Sequence, residues 1–172
     1  DVEYQGFIAL TNKRQQGQPI AYLNGVKEFW SREFLVTPDV LIPRPETELL
    51  IELCLQLIPP NKPCKILDLG TGSGIIAITL AAERPNALVS ATDISPAALQ
   101  IASANAAKHK VSHIRFYQSD WFANVPTDNF DFIVSNPPYV AKDDPHLNEG
   151  DLRFEPKTAL VSAKHGLNDM HS

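Results

Sequence analysis

The chain has 172 residues, of which 44% are hydrophobic, enough for one domain with a sizeable core. Its 15 basic and 20 acidic side chains give a formal net charge of −5, which disfavours broad non-specific binding to nucleic acid. No apolar run approaches the roughly 18 residues of a membrane-spanning helix, and Cys54 and Cys64 give no disulfide framework, so a reducing cytosol is the expected setting.

Residues 1–17 are polar and weakly patterned and read as a linker or the remnant of an upstream helical domain. Residues 18–36 read as a β-hairpin. Asn24-Gly25, between Tyr22 and Val26, is the turn signal, and Phe29, Trp30, Phe34 and Val36 make an aromatic-rich second strand or hairpin extension. In TPDVLIPRPETE, at 37–48, Pro38, Pro43 and Pro45 stiffen a loop. Pro45 opens a helix whose first turn carries Glu46 and Glu48. Leu49, Leu50, Leu53 and Leu57 are its expected buried face, and Pro59-Pro60 ends it. The loop carrying Arg44 and Glu46 reads equally as the cover of a site or as capping acids beside a solvated arginine.

The stretch from Cys64 to Ala82 organises the rest. Ile66, Leu67 and Asp68 form a strand, Gly70, Thr71, Gly72 and Gly74 a tight turn, and the following apolar run a helix. Glycine permits positive φ and close approach of a ligand, and free N–H groups at a helix start favour a polar or anionic ligand end. This is a nucleotide-type cradle. Its G-x-G-x-G spacing departs from the dinucleotide G-x-G-x-x-G. A second strand, Leu88 to Thr92, leads to Asp93, placed to bond two ribose hydroxyls. Ser95 and Pro96 start a helix whose buried face is Leu99, Ala102 and Ala106. Ile114 to Tyr117 is a third strand followed by Asp120 and Trp121, a carboxylate and a ring that suit an adenine. Phe130 to Val134 is a fourth, running into Ser135-Asn136-Pro137-Pro138-Tyr139.

Strands alternating with helices predict an α/β fold, Rossmann-like, with a mostly parallel sheet and helices on both faces. Ligands of such sheets bind beyond the C-terminal strand ends, where Asp68, Asp93, Asp120 and Asn136 all fall. Four strands leave the sheet incomplete, so more sheet is expected after Ser172. Residues 143–172 show little pattern beyond a short element at Leu160-Val161. His109 and His113 read as a solvated turn rather than a metal site, which needs further ligands. No metal is expected, there is no phosphate-transfer loop, and Lys164 and His165 are expected to be exposed.

The residues after the fourth strand carry their own chemistry. Asn136 offers one acceptor oxygen and one donor nitrogen. Pro137 and Pro138 lack N–H groups and stiffen the path, so a backbone carbonyl can be aimed at a substrate N–H. Tyr139 can wall a planar group. Such a clamp holds a nitrogen in line with a reactive methyl, and catalysis comes from alignment and oriented dipoles.

LDLGTGSG at 67–74, Asp93, SNPPY at 135–139 and IPRPETE at 42–48 together resemble the S-adenosylmethionine-dependent methyltransferases. With QPIAYLNGVKEFWSREFLV at 18–36 and RFEPKTALVSAKHGL at 153–167, the chain is similar to the bacterial peptide-chain release factor glutamine methyltransferases. The resemblance implies methylation of the glutamine side-chain amide in the Gly-Gly-Gln tripeptide of release factors, with S-adenosyl-L-methionine as cofactor. Asp68, Gly70, Thr71, Gly72 and Gly74 would line the methionine end. Asp93 would hold the ribose, and Asp120 with Trp121 the adenine region. Asn136 and Pro137 would grip the amide beside Pro138 and Tyr139, with Asn136 also bordering the cofactor and Arg44 and Glu46 near the substrate. It further implies a catalytic domain over 37–172, preceded and followed by family segments absent from this sequence. Two other readings are an adenine-amino methyltransferase acting on nucleic acid and a cofactor-binding scaffold without turnover.

Overall fold

The computed structural model describes residues 2–126 and 129–163. The segment expected to be linker or helix is helix α1, Val2–Gln15, and it has no buried residue. A short helix α2, Ile20–Asn24, follows, and Gly25 ends it with φ of 73°. The Asn24-Gly25 pair is therefore a helix C-cap, not the hairpin turn: left-handed backbone serves either purpose, and two letters of sequence do not separate them. The hairpin itself joins strands β1, Val26–Phe29, and β2, Arg32–Leu35. Its turn is Trp30-Ser31, both at positive φ (52° and 54°). Two acids hold this unfavourable turn: the Trp30 N–H donates to Glu48 (2.9 Å) and the Ser31 N–H to Glu28 (2.6 Å). Trp30 thus belongs to the turn rather than to the second strand.

Helix α3, Glu46–Leu57, buries Thr47, Ile51 and Cys54 and continues into buried Ile58. The expected face is displaced: Leu49, Leu53 and Leu57 point outward at 58%, 47% and 70% exposure, and only Leu50 packs partly on the core. ETELLIELCLQL is apolar almost all round, so periodicity offered two stripes. The stripe that faces the sheet was set by tertiary packing.

Strands β3, Lys65–Leu69, β4, Leu88–Asp93, β5, Ile114–Gln118, and β6, Phe132–Ser135, form one parallel sheet in the order β5-β4-β3-β6. Helix α4, Ile75–Glu83, connects β3 to β4, and helix α5, Pro96–Lys108, connects β4 to β5. Ser95 caps α5 by accepting the Ala98 N–H (3.2 Å), with Pro96 at its first position as expected. Its buried face is Ala98, Ala102, Asn105 and Ala106, with Leu99 only half-buried. One cluster gathers Ile51, Cys54, Ile66, Ile78, Val89, Ala91, Ala106 and Val134, so α3, α4 and α5 share one face of the sheet. The connection from β5 to β6 has no helix among its described residues.

Beyond β6 the chain makes strand β7, Val140–Ala141, two 3₁₀ turns at Pro145–Asn148 and Leu152–Phe154, helix α6, Lys157–Leu160, and strand β8, Val161–Ser162. β8 pairs parallel with β7, which brings 157–162 back beside the segment after β6. Lys164 and His165 lie outside the described residues. His109 sits near Phe34, ring centroids 4.8 Å apart, with Nε2 3.0 Å from the Glu33 carbonyl. It is partly buried rather than a solvated turn, and burial pulls its pKa down.

Candidate cofactor and substrate cavity

The glycine loop leaves β3 and is held from three sides. The Thr71 N–H donates to the Thr92 carbonyl (2.8 Å), the Gly74 N–H to the Thr71 carbonyl (2.8 Å) and the Gly72 N–H to Asp93 Oδ2 (2.9 Å). Gly70 and Gly72 sit at φ of 70° and 56°, and a Cβ on either would meet no atom within 4 Å. Their bare backbone faces open space. Gly74 is glycine for another reason: a Cβ there would stand 2.8 Å from Ile78 and 3.1 Å from Ala102. It lets α5 close on α4 and does not line the cavity.

A cavity of about 330 Å³ opens over this loop at the C-terminal edge of the sheet. Gly70, Thr71, Gly72 and Asp93 form one wall, and Asp120 and Trp121 a second. Asn136 and Pro138 border it after β6, and Arg44 closes it from the proline-rich loop. The volume falls at the low end for small-molecule sites. Asp93 is half-buried, and its Oδ1 accepts the Ser95 N–H at 2.9 Å. Each of its oxygens keeps a second acceptor position for a ligand hydroxyl. Trp121 is held at φ of 46°, its carbonyl accepting from the Ser119 hydroxyl (2.8 Å).

Asp68 is placed differently from the expectation. It is fully buried beneath the loop, not on the cavity wall. Its Oδ2 accepts from the Thr71 hydroxyl (2.6 Å) and the Ala77 N–H (3.2 Å), while Oδ1 is buried without a hydrogen-bond partner. Burial pushes its carboxyl up to about 7.

Three further expected residues are not among those lining the cavity: Glu46, exposed in the first turn of α3, Pro137, half-buried between Asn136 and Pro138, and Tyr139, 59% exposed. Of the pair in the proline-rich loop, only Arg44 reaches the cavity. Its Nη2 donates to Glu155 Oε1 at 2.6 Å, and Glu155 Oε2 accepts the Ile42 N–H at 3.3 Å. The Glu155 side chain is wholly buried, and burial raises its pKa against the opposing pull of Arg44.

Ile94, Thr158, Ala159 and Val161 also line the cavity without having been named as site residues from the sequence. Ile94 left a faint signal, an apolar residue directly after the strand-end acid, and it is 55% exposed at the cavity mouth. The other three lie in the stretch 153–167 that carried the resemblance, but nothing in it placed them at the cavity, because only the β7–β8 pairing brings them there. Among the described residues no three His, Cys, Asp or Glu side chains converge as a metal site.

The methyltransferase small domain family model matches residues 46–151. The chain belongs to that family. The matched span contains the glycine loop, Asp93, Trp121 and Asn136-Pro138, so it holds most of the cavity, while Arg44 and the wall from Thr158 to Val161 lie outside it. The chain is 50% identical over 170 residues to a release factor glutamine methyltransferase of Salmonella typhimurium, covering 99% of this chain and 61% of that protein. It is 52% identical over 168 residues to a release factor glutamine methyltransferase of Burkholderia pseudomallei, covering 94% and 59%. The chain therefore spans about three fifths of the length of these curated relatives. Among solved structures, the methyltransferase domain of METTL16 aligns with a TM-score of 0.54 at 22% identity, covering 64% of this chain and 54% of that one. That likeness supports the methyltransferase-type α/β fold.

Proposed function

We propose that the chain binds S-adenosyl-L-methionine and serves in methyl transfer to the side-chain amide nitrogen of the glutamine in the Gly-Gly-Gln tripeptide of peptide-chain release factors. One observation carries this reading: a single cavity joins the open glycine loop, Asp93 and Trp121 to Asn136 and Pro138. The residues fit the cofactor. Gly70 and Gly72 keep open space where side chains would intrude, Asp93 keeps acceptor positions for the ribose, and Trp121, Asp120 and Ile94 offer a ring, an acceptor and an apolar cover for the adenine. S-adenosylmethionine, when bound, supplies an electrophilic methyl group. The resemblance to the release factor enzymes in IPRPETE and SNPPY, with about half of all positions identical, supports glutamine rather than adenine as acceptor.

The protein's task is to hold the acceptor. Asn136 follows β6 directly, and β6 is fixed to the glycine strand by the Ser135 hydroxyl donating to the Leu69 carbonyl (2.8 Å). Its amide can pair with the substrate amide and fix its rotation. The Pro137 carbonyl accepts a substrate N–H, and the exposed Tyr139 ring closes on the group from outside. A neutral amide nitrogen sheds its proton after alkylation, so the reading assigns no general base. Arg44, held by Glu155, faces the peptide that carries the glutamine.

By the same reading residues 1–17 are a linker or the remnant of a helical domain, the hairpin region is 18–36 and the catalytic domain starts at 37. The buried free thiols of Cys54 and Cys64 suit the cytoplasm, where release factors work. No helix among the described residues is long and apolar enough to cross a membrane. The test is transfer from labelled S-adenosylmethionine to full-length release factor, with a Gly-Gly-Ala variant as control. Label in the first and not the second supports the reading. Equal labelling removes the acceptor assignment, and labelling of DNA alone favours an adenine acceptor.

A further inference from the structure

Asn105 is wholly buried on α5, and its side chain bonds only to backbone. Its Oδ1 accepts the Leu35 N–H at 2.7 Å. Its Nδ2 donates to the Leu35 carbonyl at 3.0 Å and to the Ser73 carbonyl at 2.9 Å. Both amide protons and an acceptor position are thereby engaged.

The two partners are what give the contact meaning. Val36 N–H donates to the Gly25 carbonyl within the hairpin, so the alternation of an antiparallel pair turns the N–H and carbonyl of Leu35 to the free edge of β2. Asn105 supplies that edge with the partner a strand would have given. Two residues later the chain enters the loop whose Asp39, Val40 and Arg44 line one side of the cavity. Ser73 lies between Gly72 and Gly74 in the glycine loop and lines the other side. Gly72 is already held by Asp93 through its N–H, and Ser73 is held by Asn105 through its carbonyl.

We infer that Asn105 is a positioning residue that locks the glycine loop and the proline-rich loop in register, so that a ligand filling the cavity tightens both at once. The inference rests on the cofactor reading above for the identity of the ligand. It assigns Asn105 no contact with cofactor or substrate. A merely structural buried amide would lower stability when replaced but would not couple two walls that lie 32 and 70 residues from it in sequence.

The experiment measures hydrogen exchange across 33–37 and 70–76 of the full chain with and without S-adenosylmethionine, and cofactor affinity by calorimetry. In the parent, cofactor should slow exchange in both segments. Asn105→Ser, neutral and too short to span both partners, should lose the protection at 33–37 and bind cofactor about tenfold more weakly. Val111→Ala, a core truncation away from the cavity, should lower the thermal midpoint and leave affinity within about twofold. The inference fails if cofactor leaves 33–37 of the parent unprotected, a result that needs no variant to fold. It also fails if Asn105→Ser binds like the parent, or if Val111→Ala weakens binding equally. If the parent binds no S-adenosylmethionine, the cofactor reading falls instead. The ligand-free comparison then decides the coupling: Asn105→Ser must speed exchange in both segments together, and a change in one alone overturns it.

Discussion

At the scale of single residues, Asn136 and Asp68 make separable demands. If Asn136 pairs with the substrate amide as proposed, removing those contacts should cost roughly 2–4 kcal/mol of transition-state stabilisation, about 30- to 1,000-fold in rate. Asn136→Ala should keep its cofactor affinity, because the glycine loop and Asp93 are untouched, and single-turnover transfer beside calorimetry would check both. Asp68 has its carboxyl pushed up by burial, to about 7. The folded state therefore holds a proton that the unfolded chain releases near pH 4. Stability from this group is complete below about pH 4 and falls as pH rises to about 7, by at most on the order of 4 kcal/mol. Asp68→Asn should flatten that slope in thermal melts between pH 5 and 8, and an unchanged slope would show that the carboxylate is solvated. The place of Asp93, Trp121 and Asn136 at the cavity was legible in the sequence because each lies at or within a few residues of the end of a strand that borders the ligand edge. Asp68 was misplaced by one layer: the sequence shows that it ends a strand but not that its side chain turns under the loop.

Elements were legible where one signal ruled out its alternatives. Ser95-Pro96 could only start a helix, and α5 begins there. Asn24-Gly25 could cap a helix or turn a hairpin, and the more familiar use was the wrong one. Trp30-Ser31 is not a usual turn pair, and its conformation is held by Glu28 nearby together with Glu48 from another element, a partner the local sequence does not reveal. Helix α3 offers a direct test of which apolar stripe matters. Ile51→Ala should cost about 2–5 kcal/mol, since Ile51 is fully buried between α3 and the sheet. Leu53→Ala removes a half-exposed side chain and should cost less than about 1 kcal/mol. Urea unfolding of the two variants compares them, and equal losses would mean that the Leu49-Leu53-Leu57 stripe is covered in solution.

For the whole molecule the telling contact is Arg44 with Glu155, 111 residues apart. Sequence reading left Arg44 undecided because its partner sits in a region with no periodic pattern. Arg44→Ala strands a wholly buried carboxylate with only the Ile42 N–H, and should cost about 3 kcal/mol near pH 8. The cost should shrink toward pH 5. Without Arg44, only the Ile42 N–H opposes the burial that raises the pKa of Glu155, so the folded variant gains a proton as pH falls and loses stability as pH rises. Melts of Arg44→Ala at the two pH values check the sign. The same contact fixes an order of events in time. The β3–β4 pair and the α4 crossover are complete within residues 65–93, whereas the wall holding Arg44 waits for a carboxylate at 155. Closing so long a loop adds little entropy cost, because that cost grows only with the logarithm of length, but in a chain made from its N-terminus it comes late. On the ribosome the nascent chain would thus emerge with its glycine loop shaped and its pocket unwalled, and ligand-holding capacity would arise only as the last of these segments leaves the tunnel.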